Sequence, residues 1–275
     1  MRILLTNDDG IDSIGLHILA RAMRAHGDVV IAAPDREYSG AGAALGAIHL
    51  LQPETRREHI EGIDEAWSVT GPPALCVMFA CLGLFGEAFD LVVSGINPGA
   101  NVGRSVYHSG TVGAALTART RGISGVAVSQ SVTGFGVEGQ GWDEMLIGQQ
   151  WDTAAAVAEV VVGGLIAQAP VDPVVLNVNV PTDQIAGWRR TEVGTLPQRA
   201  MSVARMEPMV GHEAAFSVKM TWGEAVELPI TTDVGAVDAG EVSVTYLSRL
   251  AGDPVPGPTE AEVHLDRWLQ RRAGQ

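Results

Sequence analysis

The segment Arg2-Ile3-Leu4-Leu5-Thr6-Asn7-Asp8-Asp9-Gly10 opens on an apolar run and closes on two adjacent carboxylates. Ile3, Leu4 and Leu5 are too few for a helix, and the polar residues after them read as the end of a buried strand opening into a turn. Adjacent aspartates repel, so a pair at the mouth of a buried strand is costly without a cation or solvent beside it. Two readings of Asp8 and Asp9 stand at this point. One is an Asx turn cornered on Asp9-Gly10; the other is half of a site for a hard metal ion.

Outward from this segment, Ile14, Ile18, Leu19 and Met23 recur at helical spacing, with Asp12 or Ser13 as the cap and Gly27 as the stop. Asp28 to Pro34 is a second short apolar strand. Strand, helix and strand in this order predict a βαβ unit and a parallel sheet with a right-handed crossover. Ligands of such sheets gather beyond the carboxyl ends of the strands, where both polar turns fall. The second turn, Pro34 to Gly42, contains Ser39-Gly40, which suits close approach of backbone and hydroxyl to a ligand. Residues 43–69 read as an exposed excursion containing a hairpin, and Pro73 to Leu84 as a helix.

Phe89 to Val93 is a third buried strand, leaving through Ser94-Gly95-Ile96-Asn97-Pro98-Gly99-Ala100-Asn101-Val102-Gly103. Asn97 offers a neutral oxygen ligand or an amide donor, and Asn101 a second donor; left-handed turn positions explain the same residues equally well. His108-Ser109-Gly110-Thr111 then begins a helix that continues to about Arg121. Free amides at its start, beside the Ser109 and Thr111 hydroxyls, form an anion site suited to phosphate without any lysine.

Ser124 to Ser129 is a fourth strand, followed by a glycine-rich loop through Gly141, a helix from Trp151 to Ala167 and a strand from Val174 to Val180. Ala215 to Thr221 and Glu241 to Leu247 alternate as antiparallel strands do, and Thr259 to Arg272 is a final helix. Pro254, Pro256 and Pro258 stiffen the approach to that helix, so that it can project onto a partner subunit.

Composition excludes several classes. A chain of 275 residues with 46% hydrophobic content buries a full core. A net charge of -14, with Lys219 as the single lysine, opposes binding to nucleic acid polymers or anionic membranes. A small phosphorylated substrate remains compatible, since a metal and local amides offset the overall field. Cys76 and Cys81, five apart in an apolar helix, do not match a zinc framework and read as free thiols. Met1 leads directly into the first strand without a basic or apolar leader, and no apolar run reaches membrane-spanning length, so a cytoplasmic location is expected.

Taken together, Asp8-Asp9-Gly10, Ser39-Gly40, Ser94-Gly95-Ile96-Asn97 and Ser109-Gly110-Thr111 resemble, in this order, the SurE (survival protein E) family of metal-dependent 5′- and 3′-nucleotidases. Ala33-Pro34-Asp35-Arg36, Asn177-Val178-Asn179-Val180-Pro181, Thr232-Asp233 and Val242 to Thr245 extend the resemblance to about residue 250. It implies an α/β fold of Rossmann-like, three-layer form with a mostly parallel sheet. Residues 1–182 would form the catalytic core. Residues 183–275 would form a β-rich and helical extension of the same unit, used in oligomerisation as a homodimer or homotetramer. It implies one divalent cation per subunit, Mg²⁺ or Mn²⁺ with Co²⁺ possible, on Asp8, Asp9, Ser39 and Asn97; an all-oxygen set suits such ions. Phosphate would be cradled by Ser39, Gly40, Asn101, Ser109, Gly110 and Thr111. The implied reaction is phosphomonoester hydrolysis by a metal-activated water, of the acid-type phosphatase class, with Asp8, Asp9, Asn101 and Ser109 as the catalytic set. An aspartyl-phosphate route would want a spacer between the aspartates.

The chain departs from the family pattern at three places. His108 stands where most relatives have Tyr before Ser-Gly-Thr, and it is a candidate proton donor or substrate contact. Leu75 stands where relatives usually carry Asp, and an acidic residue near Thr117 is missing. These changes leave open a phosphatase for a sugar or secondary-metabolite phosphate, and a non-catalytic nucleotide-binding protein is the third reading. The remaining histidines, His17, His26, His49, His59, His212 and His264, read as surface or packing residues.

Overall fold

A parallel strand covered by helices on both faces must be apolar on both, and the first strand obeys this. In the computed structural model, β1 (Arg2–Thr6) is buried along all but its first residue. The structure describes residues 1–46, 52–132, 146–182, 184–195, 201–209, 215–222, 226–248, 257 and 259–273. The loop through Gly141, the prolines Pro254, Pro256 and Pro258, His49 and His212 lie outside the described residues.

Helix α1 (Ile14–Met23) and strand β2 (Asp28–Pro34) complete the expected βαβ opening. Ser13 holds the N-cap position without a side-chain capping bond, and the helix ends at Met23 rather than at Gly27. Gly27 serves close approach instead, for a Cβ there would lie 2.1 Å from the Met1 carbonyl oxygen. The excursion before residue 69 contains the expected hairpin, β3 (Thr55–Ile60) and β4 (Ile63–Val69). Helix α2 (Pro73–Cys81) is apolar all round and buried, three residues shorter than its hydrophobic pattern.

Strand β5 (Leu91–Pro98) runs five residues further than expected. Residues Ser94 to Pro98 stay in the sheet through an irregular register against β6 (Ser124–Gln130), in which Asn97 pairs with Ser129. A 3₁₀ turn (Gly103–Tyr107) leads to α3 (Gly110–Thr120). Helix α4 (Trp151–Ala167) and β7 (Val175–Val180) agree with the pattern. The later chain adds β8 (Gly187–Thr191), β9 (Met201–Pro208), β10 (Phe216–Trp222), α5 (Asp233–Asp238), β11 (Glu241–Tyr246) and α6 (Glu260–Ala273).

Nine strands form one sheet in the order β3-β4-β2-β1-β5-β6-β7-β11-β8, parallel except at β3-β4 and β7-β11. Helices α1 and α4 cover one face around Leu16, Leu19 and Val162, while α2 and α3 cover the other around Cys76, Val77 and Ala114. This is the expected three-layer α/β fold. Strands β8 and β11 return to the same sheet, whereas β9 and β10 pair with each other as a separate ribbon. Among the described residues no helix is long and apolar enough to cross a membrane.

From β1 the chain moves to one side through β2 and β4, then crosses to the other through β5, β6 and β7. The order therefore reverses between β1 and β5, and the crevice outside the carboxyl ends of those strands is where such a sheet binds ligands.

Candidate active site

Thr6 pairs with Ser94 across β1 and β5. Two residues on from Thr6 comes Asp8, and three on from Ser94 comes Asn97, so both stand at the same edge of the sheet, on either side of the reversal point. Asp8 is buried with one oxygen accepting the Gly110 N–H at 3.0 Å and the other the Thr111 hydroxyl. Two of the donors expected to be free at the start of α3, the Gly110 N–H and the Thr111 hydroxyl, are thus taken. A buried carboxylate is costly without donors, and these two are the nearest ones the chain supplies. Burial still pushes the Asp8 carboxyl above its usual range, against the opposing Thr111 and Gly110 bonds.

Asp9 is different. Both of its carboxylate oxygens are shielded from solvent and have no hydrogen-bond partner. Its carboxyl is held well above the usual range by burial first, then by the charges of Asp8 and Glu37. A carboxylate so placed fits a cation and little else, because a third acid beside it raises the cost of leaving it ionised.

The second loop closes over the pair. The Tyr38 N–H donates to the Asp8 carbonyl at 2.7 Å, and the Gly42 N–H donates to the His108 carbonyl at 2.9 Å. Ser39 and Gly40 lie exposed between these two anchors. Gly42 passes so close to α3 that a Cβ on Gly113 would sit 2.2 Å from its carbonyl oxygen. The Asn97 side chain donates from Nδ2 to the Gly99 carbonyl at 2.6 Å, which leaves Oδ1 as its available acceptor and hence a neutral oxygen ligand. Asp8, Asp9, Asn97 and Ser39 carry oxygen donors, the type that suits Mg²⁺ or Mn²⁺, and no thiolate; among the described residues no cluster of three or more acidic, histidine or cysteine side chains accompanies them.

Ser109 caps α3, its Oγ accepting the Val112 N–H at 3.1 Å, so its own hydroxyl proton remains available. Asn101 is buried, and its Nδ2 donates one proton to Ser129 Oγ at 2.9 Å. The His108 and Tyr107 side chains are exposed at the rim. Leu75 is fully buried against Gly71, so the residue that replaces an acid of the family pattern belongs to the core and not to the crevice. Thr117 turns its hydroxyl to the Gly113 carbonyl at 2.7 Å. His17 and His26 bond the carbonyls of Ile11 and Glu159, as packing residues do. Cys76 and Cys81 are free thiols.

Sequence reasoning assigned no role to Glu37, Ser129, Asn177, Asn179 or Asp233. The visible signal was the pair of asparagines inside the otherwise apolar Val175–Val180 strand.

The family model for survival protein SurE matches residues 3–201. The chain is 36% identical over 254 residues to the 5′/3′-nucleotidase SurE of Erwinia tasmaniensis, covering 90% of each. It is 37% identical over 256 residues to the 5′-nucleotidase SurE of Acinetobacter baumannii, covering 89% of this chain and 92% of that protein. The crystal structure of the SurE protein from Aquifex aeolicus superposes with a TM-score of 0.71 at 28% identity, over 98% of this chain and 100% of that one. With its paired aspartates at the β1–β5 reversal point and this extent of similarity, the chain belongs to the SurE family.

Proposed function

We propose that this chain is a divalent-cation-dependent phosphomonoesterase that hydrolyses nucleoside 5′- and 3′-monophosphates to nucleoside and phosphate. The observation that carries the reading is the Asp9 carboxylate, shielded, unpartnered and next to Asp8. The nucleotidase relatives from Erwinia and Acinetobacter support nucleotides as the substrate class.

One cation, Mg²⁺ or Mn²⁺ with Co²⁺ as a further fit, would be held by Asp8, Asp9, Ser39 and Asn97. When bound, it supplies Lewis acidity toward a phosphoryl oxygen and increases the acidity of a water. The chain's own groups do the rest. Gly110 and Thr111 keep the Asp8 carboxylate oriented. The remaining Asn101 amide proton and the Ser109 hydroxyl offer donors to the equatorial phosphoryl oxygens, where charge develops. The start of α3 favours negative charge through its dipole. Ser39 and Gly40, lying open between the Asp8 and His108 anchors, border the same crevice. His108 stands at its rim, where an imidazole can donate a proton to the leaving oxygen or contact the substrate.

We also read the protein as a homodimer or homotetramer. Met206, Phe216, Val218 and Met220 are exposed on the β9–β10 ribbon, and an isolated two-stranded ribbon is marginal in water. The free cysteines support a reducing compartment such as the cytoplasm.

The test is phosphate release from nucleoside monophosphates, sugar phosphates and simple aryl phosphates, with Mn²⁺, Mg²⁺ or chelator, for the wild type and Asp8→Asn. Metal-dependent release on nucleotides that the substitution abolishes supports the proposal. Release confined to other phosphomonoesters moves the substrate class, and no metal-dependent release on any substrate leaves a nucleotide-binding protein.

A further inference from the structure

Strand β7 reads Val175-Leu176-Asn177-Val178-Asn179-Val180 and is buried along its whole length. Asn177 and Asn179 are two apart, so both project from the same face, where a buried strand would ordinarily carry apolar side chains. Both reach the backbone of Asn101. The Asn101 N–H donates to Asn179 Oδ1 at 2.7 Å. The Asn101 carbonyl accepts from Asn177 Nδ2 at 2.7 Å and from Asn179 Nδ2 at 3.2 Å. A second clamp sits two residues further on: the Gly103 N–H donates to Asp233 Oδ2 at 2.9 Å. The other oxygen of Asp233 accepts from the N–H groups of Gly194 and Val234, each at 2.8 Å.

Loops at a sheet edge ordinarily satisfy their backbone with water or neighbouring strands at little cost. Here three buried polar side chains from β7 and α5 do it. The cost is visible in Asn177 Oδ1, which is buried without a partner. All three side chains are themselves fully buried, so Asn177 and Asn179 hold Asn101, and Asp233 holds Gly103, from behind rather than touching a ligand in the crevice.

We infer that Asn177 and Asn179 at Asn101, and Asp233 at Gly103, are positioning residues that fix the backbone from Asn101 to Gly103, and through it aim the Asn101 amide at a bound phosphate. This rests on the reading of Asn101 as a phosphate contact. Losing a hydrogen bond to a charged acceptor weakens binding by about 10- to 100-fold, which gives the scale of the effect.

The test uses the full chain loaded with Mn²⁺ and titrated calorimetrically with inorganic phosphate, with Mn²⁺ affinity measured separately. The variants are Asn101→Ala, Asn177→Ala and their double, with Asp233→Asn in the same cycle as the second clamp should Asn177→Ala fail to fold. Amide exchange at Asn101 and Gly103 reports on the peptide itself. The expected result is phosphate binding about 10- to 100-fold weaker in Asn177→Ala, with Mn²⁺ affinity within about twofold of wild type. Exchange at Asn101 should be faster, and the second substitution should cost about twofold or less once Asn101 is alanine, because no side chain is left to aim. A merely structural role predicts the same loss in both backgrounds, and that outcome overturns the inference. So does an unchanged phosphate affinity in Asn177→Ala and Asp233→Asn when Asn101→Ala weakens it. If phosphate does not bind the Mn²⁺-loaded wild type, or Asn101→Ala leaves its binding unchanged, the phosphate reading of Asn101 falls and takes the inference with it.

Discussion

Gly110 opens α3, and helix propensity favours replacing it with alanine by about 0.5–1 kcal/mol. The structure reverses that sign. A Cβ at Gly110 would lie 2.7 Å from Asp8 Cβ and 2.8 Å from Asp8 Oδ2. The second distance is roughly 0.6 Å short of the 3.4 Å at which ordinary contact begins. Asp8 cannot swing away cheaply, because it follows a strand paired on both sides and its carbonyl holds Tyr38. Either the start of α3 or the carboxylate must move by about half an ångström, loosening the 3.0 Å bond between them. Overpacking of this kind costs about 1–3 kcal/mol, so after the propensity gain Gly110→Ala should lose up to about 2.5 kcal/mol. For a chain of this size that is a melting temperature lower by several degrees, at about 2–4 °C per kcal/mol. On the proposed reading of Asp8 as a cation ligand, metal-dependent turnover should fall by about 10- to 100-fold, since that carboxylate is displaced. The assays are urea unfolding in chelator, Mn²⁺ titration and phosphate release. A variant more stable than wild type, with Mn²⁺ affinity and turnover within about twofold, would refute the claim that the start of α3 is shaped around Asp8.

Three further outcomes follow from the same site and its surrounding helices. Asp9→Asn removes a shielded charge that faces Asp8 and Glu37; it should raise the chelator-treated stability by about 1–3 kcal/mol while abolishing stabilisation by Mn²⁺, and a lower melting temperature in chelator would contradict the reading. Burial holds Asp8 and Asp9 above the ordinary carboxylate value, so their contribution to stability is present below the unfolded pKa and is lost as pH rises through the folded one. Metal-free melting temperatures should therefore fall as pH climbs above about 4, and the gain on adding Mn²⁺ should grow over the same rise, because the ion binds the ionised form; a gain that stays flat or shrinks counts against the site. Gly164, in the last turn of α4, has open space where an alanine would place its methyl, with nothing within 4 Å, whereas a Cβ on Gly125 would lie 2.5 Å from the Ala115 carbonyl oxygen. Gly164→Ala should gain about 0.5–1 kcal/mol and Gly125→Ala should lose about 1–3 kcal/mol in urea unfolding.

Much of the framework was legible because local periodicity and burial agree in it. Asp28 to Pro34 and Trp151 to Ala167 appear in the structure with the bounds their patterns implied. The misreadings share one cause, which is that a terminus depends on what packs against it. Gly27 looks like a helix stop, yet it serves the approach of Met1. Ser94 to Pro98 look like a turn, yet pairing with β6 keeps them in the sheet. Strand β8 has a half-exposed pattern with little hydrophobic signal and exists because β11 offers it an edge.

The sequence by itself determined the class of the fold, through short apolar strands alternating with helices, and the chemistry of the crevice, through hard oxygen donors at successive strand exits. Residue type and short-range order suffice for both. Only the tertiary structure decided how those donors are used. Gly110 and Thr111 turn inward to Asp8, Asp9 is left without a partner, the Asn101 backbone is held by side chains 76 and 78 residues later, and Gly103 is held by the Asp233 carboxylate at the start of α5. Hydrogen-bond donors are directional and reach about 3 Å, so which of them stay free for a ligand is fixed by packing between segments far apart in the chain.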